Sequence, residues 1–396
     1  MRVVYISHTS KDTDGSSKAL IYLAQAMRDK GIDILVILPR QGELYQELQT
    51  RGIRCIILRW NFRMSVYPWS QTKLDKFLLF PRLIGRLIIN SFATLQVINL
   101  LKKNRPDLIH TNSSVTSIGY YVAKFLKIPH IWHIREYGAL NFQTFYYYPT
   151  FKHQKLRYNK QNSHTICITK DIQRYNSLLN HVNSTVIYDG VLPANAIDYV
   201  SQKKPYFLYV GRLEHIKGIL PLIDAYANYC QSCPSPLPLY IAGTGNPKYT
   251  ELVTTKIQNH GIEHQVQLLG MIDDVMPYYK EAKALIVPSL FEGFGFITAE
   301  AMFSGCLVIG NNVAGTKEQF DNGLELTGEE IALRYTTEAQ LVQHLIDVTN
   351  NPIEQYEPII LRGQEVVRQL YTAEKHVEQV YDLYKKITTK EQYIDL

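Results

Sequence analysis

The stretch Pro288-Ser289-Leu290-Phe291-Glu292-Gly293-Phe294-Gly295-Phe296-Ile297-Thr298-Ala299-Glu300-Ala301-Met302 decides how this 396-residue chain is read. The apolar run at 284–287 just before it has the length and composition of a buried strand, and the residues after Gly295 have the pattern of a helix. Gly293 and Gly295 let backbone N–H groups approach a ligand closely, and a helix start directly after them favours a diphosphate. Two carboxylates flank the turn. Glu292, in the loop, can grip sugar-type hydroxyls, and Glu300, about one turn into the helix, can accept from ribose-type hydroxyls. On these residues alone a tight turn with a capping or solvated glutamate remains an alternative reading.

Working outward, the same rhythm of strand, turn and helix fills both halves of the chain. Strand-like runs occur at 3–6, 34–38, 108–110, 130–133 and 165–168, and again at 206–210, 239–242, 266–269, 284–287 and 307–309. Between the first two lies a helical pattern with Leu20, Leu23, Ala24 and Met27 on one face, ended by Gly31. Residues 219–229 and 276–282 carry further helical patterns. Alternation of this kind predicts an α/β protein of two Rossmann-like parallel-sheet domains, with a ligand cleft between the carboxyl ends of the sheets. The expected boundaries are 1–187 for the first domain, 188–204 for a linker holding Gly190 and Pro193, and 205–372 for the second. Residues 373–396 are expected to form a terminal helix packing back on the first domain, with Val377, Val380, Tyr381 and Tyr384 on one side. A chain of this length suits two domains, because single cores rarely grow beyond ~250–300 residues.

Composition bounds the function. Hydrophobic residues make up 46% and charged residues 20%, which excludes a disordered chain. Five cysteines without a framework of spacings suit a reducing compartment, and Cys230-x-x-Cys233 lacks the second ligand pair a structural metal would need. The opening Met1-Arg2-Val3-Val4-Tyr5-Ile6 reads as a first strand rather than a signal peptide, so a cytoplasmic location is expected. The net charge of +6 hides an asymmetry: residues 1–185 hold 26 Lys and Arg against 10 Asp and Glu, the remainder 16 against 26. The first half therefore faces something anionic, either a membrane surface or a polyphosphate-bearing substrate. Residues 59–105 concentrate this charge. Arg59, Arg63, Lys73, Lys76, Arg82, Arg86, Lys102, Lys103 and Arg105 stand against Asp75 alone, interleaved with Trp60, Phe62, Tyr67, Trp69, Phe77 and Phe80. Pro81, Arg82 and Arg86 are expected to interrupt any membrane-crossing run, which leaves a segment suited to the headgroup layer or a domain helix with a solvated basic face.

Three further constellations belong with the quoted turn. Val210-Gly211-Arg212-Leu213 followed by Lys217-Gly218 puts two cations at the mouth of a strand, where Arg can bind two phosphate oxygens and Lys adds a compact charge. Asp14-Gly15-Ser16-Ser17 joins the first strand to the first helix; a second phosphate-facing glycine turn and a plain serine cap both fit. His133-Ile134-Arg135-Glu136 is expected to follow a strand and point into the cleft, although a lone histidine is as often structural.

Together these residues resemble glycosyltransferase family 4, whose members have the GT-B fold. The pattern Glu-x7-Glu is complete at Glu292 and Glu300. Gly211-Arg212-Leu213 with Lys217-Gly218, the Ile241-Ala242-Gly243-Thr244-Gly245 turn, Leu269-Gly270, Gly305-Cys306-Leu307-Val308, Gly315 and Glu318 match as well. The likeness is strong over about 205–320 and looser before 185. Where many members have Asn-Gly at the linker, this chain has Asp189-Gly190. The resemblance implies a retaining transferase that needs no metal or other cofactor and uses a UDP- or GDP-linked sugar. It implies Arg212 and Lys217 on the diphosphate, Glu300 on the ribose and Gly15 closing on the phosphates. Glu292, with the backbone of Gly293, Phe294, Gly295 and Phe296, would hold the donor sugar, and His133 would be the donor-sugar histidine. Arg135 and Glu136 are the acceptor candidates. His-Ile-Arg-Glu is also similar to capsule and exopolysaccharide transferases, which implies a glycan or polyprenyl-diphosphate-linked acceptor at the inner face of the plasma membrane. A non-catalytic relative, another GT-B enzyme such as an epimerase, and a nucleic-acid binder are the competing readings. The intact acids and cations argue against the first, and no nucleic-acid motif supports the last.

Overall fold

The computed structural model describes residues 1–11, 15–61, 64–66, 77–138, 144–146, 155, 157–158 and 162–389. Asp14 of the first glycine turn lies outside them, as do Phe62, Arg63, Tyr67, Trp69, Lys73, Asp75 and Lys76 of the basic stretch. The chain divides into two compact units, Met1–Asp189 together with the residues from Lys375 on, and Gly190–Glu374.

The first unit carries strands β1 (Arg2–Ile6), β2 (Asp33–Leu38), β3 (Arg54–Ile57), β4 (Met64–Val66), β5 (Leu108–Thr111), β6 (His130–Ile134), β7 (Thr144–Tyr146), β8 (Ser163–Cys167) and β9 (Ser184–Val186). Its helices are α1 (Gly15–Asp29), α2 (Glu43–Thr50), α3 (Leu79–Lys102), α4 (Ile118–Leu126) and α5 (Lys170–Tyr175). Seven strands form one parallel sheet in the order β3-β2-β1-β5-β6-β8-β9, and β4 pairs antiparallel with β7 apart from it. Side chains alternate across a strand, so β1 feeds two cores. Val3 and Tyr5 pack with Leu20, Leu23, Ala24 and Met27 of α1, whereas Val4 and Ile6 pack with Val97 and Leu101 of α3 and Ile118 and Val122 of α4.

The second unit holds β10 (Lys204–Val210), β11 (Leu239–Ala242), β12 (Val266–Gly270), β13 (Ala282–Val287), β14 (Val308–Asn311) and β15 (Leu333–Tyr335). Between and after them run α6 (Ile219–Ser232), α7 (Pro247–Asn259), α8 (Met276–Glu281), α9 (Phe296–Phe303), α10 (Ala314–Thr327), α11 (Glu338–Asn350) and α12 (Glu357–Leu370). The sheet is again parallel, in the order β12-β11-β10-β13-β14-β15. Phe207, Tyr209, Ile241, Ala284 and Ile286 pack against Leu222, Tyr226 and Tyr229 of α6 and Leu341 and Leu345 of α11. Cys230 and Cys233 are free thiols at this core. The final helix, α13 (Ala373–Thr388), sends Val377, Val380, Leu383, Tyr384 and Ile387 into the core that also holds Val3 and Tyr5.

One expectation needs correcting. The run after Phe77 is not interrupted at Pro81, Arg82 or Arg86: α3 is continuous over 24 residues, and Arg82 N–H reaches Leu78 O at 3.0 Å. Pro81 falls in the first turn, where no helical partner waits for the missing N–H, so the ring is tolerated. By length and composition alone, Pro81–Lys102 is then long and apolar enough to cross a membrane. Its packing is that of a domain helix, with Ala93, Val97, Ile98 and Leu101 buried in the core and Ile84, Ile88, Phe92 and Leu95 exposed. Leu101→Ala is expected to cost about 2–5 kcal/mol in chemical unfolding. Leu95→Ala should stay within about 0.5 kcal/mol of the parent protein. Equal losses would mean that α3 packs by a different face.

Candidate active site

In an open parallel sheet, ligands bind beyond the carboxyl ends of the strands, at the point where strand order reverses. In the second unit that point lies between β10 and β13. Arg212 and Lys217 follow β10, and the turn from Glu292 to Phe296 follows β13, so the sheet brings the two sequence signals to one edge. The loops are locked together by backbone. Leu290 N–H donates to Ile216 O at 2.9 Å, and Gly218, at φ +69°, sits so close to Pro288 that a Cβ would lie 1.9 Å from its carbonyl oxygen. The neighbouring β11 turn is equally tight, since a Cβ on Gly243 would lie 1.9 Å from Gly211 O. These approaches explain why glycines punctuate the motif.

Within this frame Lys217 Nζ donates to Glu292 Oε2 at 2.7 Å, and Ser289 Oγ donates to the same oxygen at 3.2 Å. Both charged side chains are only partly exposed, at 20% and 15%. Arg212 is different: its side chain is 71% exposed and lies 3.1 Å from Glu214 Oε1, a surface pair that holds it weakly. Gly295 adopts φ +94° and starts α9, whose first N–H groups have no partners inside the helix. Gln319 Nε2 donates to Phe294 O at 2.5 Å and Gly295 O at 3.0 Å, and Gly315 N–H donates to Glu292 O at 2.9 Å, so α10 pins the turn from behind. The Phe294 ring belongs to the core, edge-on to Phe296 and Tyr371, which leaves only its backbone for a ligand. Glu300 accepts from Tyr279 Oη at 3.1 Å. Burial first, and then the Glu300 carboxylate, push the Tyr279 phenol well above its ordinary range, so it stays a donor. Tyr279 and Gln319 carried no signal in the sequence, because each reaches the turn from a separate helix.

The first unit assembles a second group at its own reversal, between β1 and β5. Gly15 is the first residue of α1, and Asn112 Nδ2 donates to Ser16 O at 3.1 Å. Asn112 Oδ1 accepts from Arg135 Nε at 3.2 Å, and Arg135 pairs with Asp189. His133 is placed otherwise than expected. It lies inside β6 rather than after it, 0% exposed, among His110, Arg135, Asp189 and His376 of its own unit. Arg135 Nη2 can only donate to His133 Nδ1, at 3.2 Å, which leaves the proton on Nε2. Arg135 and Glu136 are already engaged within the unit. Arg135 is buried in the bonds just given, and Glu136 Oε1 accepts from Ser113 Oγ, Ser114 N–H and Ser114 Oγ at 2.6–2.8 Å. As they stand, both build the β5 loop instead of offering free groups to an acceptor. Among the described residues no three His, Cys, Asp or Glu side chains gather to hold a metal ion.

Burial holds His110, His130 and His133 below their ordinary value of 6.5, with the Arg135 charge adding to it for His110 and His133, and takes His130 down to about 3. A folded-state value below the unfolded one means that stability is complete above pH 6.5 and is lost as pH falls from there toward the folded values. Urea unfolding midpoints should therefore drop from roughly pH 7 to pH 5. His130→Gln should flatten that slope by up to about 1.4 kcal/mol per pH unit. An unchanged slope would show that His130 is protonated in the folded protein.

Comparison with known proteins follows the same division. Residues 13–194 match Glycosyltransferase Family 4, and residues 196–366 match Glycosyl transferases group 1. The crystal structure of Anabaena HepE in complex with UDP superposes with a TM-score of 0.77 at 17% identity, covering 98% of this chain and 100% of that one. A glycosyltransferase from Rickettsia africae gives 0.76 at 17% identity, over 98% and 99%. Two parallel-sheet α/β units with a glycine turn at the reversal thus define a protein of the GT-B glycosyltransferase fold. The chain is a glycosyltransferase that joins a Glycosyltransferase Family 4 domain over residues 13–194 to a Glycosyl transferases group 1 domain over residues 196–366. Among curated relatives, an uncharacterized glycosyltransferase of Methanocaldococcus jannaschii is 34% identical over 122 residues, 30% of each chain. The capsular polysaccharide biosynthesis glycosyltransferase CapH of Staphylococcus aureus is 24% identical over 132 residues, 33% of this chain and 37% of that one. The chain spans about a third of the length of these two relatives.

Proposed function

We propose that this protein is a retaining, metal-independent glycosyltransferase that moves a sugar from a UDP- or GDP-linked donor to a glycan or polyprenyl-diphosphate-linked acceptor in cell-surface polysaccharide synthesis. The observation that carries the reading is the edge between β10 and β13, where Arg212, Lys217, Glu292 and the start of α9 converge. A diphosphate seated there takes its charge balance from Arg212 and Lys217 and from the N–H groups at the helix start. Lys217 turning to phosphate releases Glu292 for the hydroxyls of the donor sugar, while Glu300, held by Tyr279, accepts from the ribose. UDP in the HepE crystal and UDP-glucose in a second structure of that protein support a uridine donor.

As the glycosidic bond to phosphate breaks, oxocarbenium-like charge develops on the sugar and negative charge on the departing diphosphate. The cations stabilise the latter, and the leaving phosphate takes the acceptor proton during front-face attack, so catalysis is positioning and electrostatics rather than an acid/base pair. A sugar contact by His133 requires its ring to be uncovered on binding, whereas the partly exposed Glu292 has no such requirement. A polyprenyl acceptor would hold the protein at the inner face of the plasma membrane.

Lys217→Ala or Arg212→Ala should weaken UDP binding in calorimetry about tenfold or more, in line with loss of a charge-assisted contact. Acceptor binding should change much less, and comparable loss of both would contradict the diphosphate assignment. A thermal-shift screen of nucleotide sugars, followed by product analysis by NMR, identifies donor and anomeric outcome. Transfer should survive EDTA and collapse in Glu300→Ala. Equal turnover by Glu300→Ala and the parent would sink the site assignment, and an inverted product would sink the retaining mechanism.

A further inference from the structure

Among the described residues, the first unit leaves a stripe of large apolar side chains exposed. Ile84, Ile88, Phe92 and Leu95 follow one another at spacings of four, four and three along α3, which sets them on one face of the helix. They are 44%, 64%, 62% and 57% exposed, while Ala93, Val97 and Leu101 on the opposite face are fully buried. Leu87 beside them is also exposed. Across the neighbouring α4, Phe125 is 60% exposed, with Lys102 Nζ 5.2 Å above its ring. Scattered exposed apolar residues need no explanation, but a contiguous stripe on one helix with an aromatic neighbour marks an interaction surface.

Charge selects the occupant. From Phe77 to Arg105 the sequence contains no Asp or Glu. Exposed Arg82 stands near the start of α3, exposed Lys102, Lys103 and Arg105 stand at its end, and exposed Lys124 and Lys127 stand at the end of α4. Apolar side chains along the middle of a helix and cations at both ends match a surface whose interior is hydrocarbon and whose skin is anionic. A protein groove would supply the first property without calling for cations at both ends.

We propose that α3 lies in the plane of an anionic bilayer, with Ile84, Ile88, Phe92 and Leu95 entering the acyl boundary and the flanking lysines and arginines on lipid phosphates. The helix lies on the membrane instead of crossing it, because Val97 and Leu101 are committed to the core shared with Val4, Ile6 and Val122. A crossing helix would have to withdraw them from that core. The proposal deepens the membrane-facing part of the functional reading and rests on it only for the setting. Its test reads lipid binding, so failure of docking and failure of sugar transfer are separable.

The test is flotation of the full-length protein with phosphatidylcholine vesicles and with vesicles that also contain phosphatidylglycerol, at low and high salt. The parent should float with the anionic vesicles at low salt and be released at high salt. Ile88→Glu/Phe92→Glu and Lys102→Glu/Lys103→Glu should each reduce binding about tenfold or more, with parental melting temperature and parental UDP binding. Flotation of Ile88→Glu/Phe92→Glu at the parental level would overturn the proposal. So would protein that resists both high salt and alkaline carbonate, the behaviour of a crossing helix. A parent that ignores vesicles but runs as a dimer, made monomeric by Ile88→Glu/Phe92→Glu, would assign the face to a second copy of the chain instead.

Discussion

A parallel sheet buried on both faces has little freedom in where it can meet a polar ligand. Its strands are apolar on both sides, its backbone groups are spent in the ladder, and its connections must return over the faces as helices. What remains is the carboxyl edge, and at that edge only the place where strand order reverses leaves two loops diverging. Both sheets here obey this constraint. In the second unit it gathers residues from 212 to 300, and in the first it joins Gly15, Asn112 and Arg135 through hydrogen bonds. Chemistry at either edge is a consequence of how the strands are ordered.

The glycines of the second unit show how tightly this edge is specified. Gly218 against Pro288 and Gly243 against Gly211 leave no room for a side chain. The result is a cation loop and an acid loop held by main chain, so that Lys217 and Glu292 meet with their own charges balanced before any ligand arrives. The ion pair keeps two partly buried charges satisfied in the free protein, and both partners are the groups a nucleotide sugar would claim.

The first unit spends its polar residues differently. His133, Arg135 and Asp189 form a buried cluster in which His133 Nε2 and Asp189 Oδ2 have no hydrogen-bond partner among the described residues. Such groups are costly unless something over-determines them. Here Asn112 and Arg135 hold the cluster against the first turn of α1, and Glu136 ties down the β5 loop. Arg135 and Glu136, the acceptor candidates, also give this edge its shape. On the far side, α3 carries the apolar stripe that the core does not use.

The sequence by itself determined the strands, the helices that separate them, and the turn from Glu292 to Glu300, because apolar periodicity and glycine placement are local properties of the chain. Strands as short as β9 and β15, with partly exposed residues, left no such pattern and appear only through their pairing with β8 and β14. The continuity of α3 was also hidden, since whether a proline breaks a helix depends on which turn it occupies. Only the tertiary structure decided which charges meet. Lys217 finds Glu292 from 75 positions away and Tyr279 finds Glu300 from a separate helix. His133 is buried because β6 sets it beside His110 and His376, which come from other parts of the chain. Partners and burial depend on three-dimensional proximity, and strand order, which no local pattern encodes, sets that proximity.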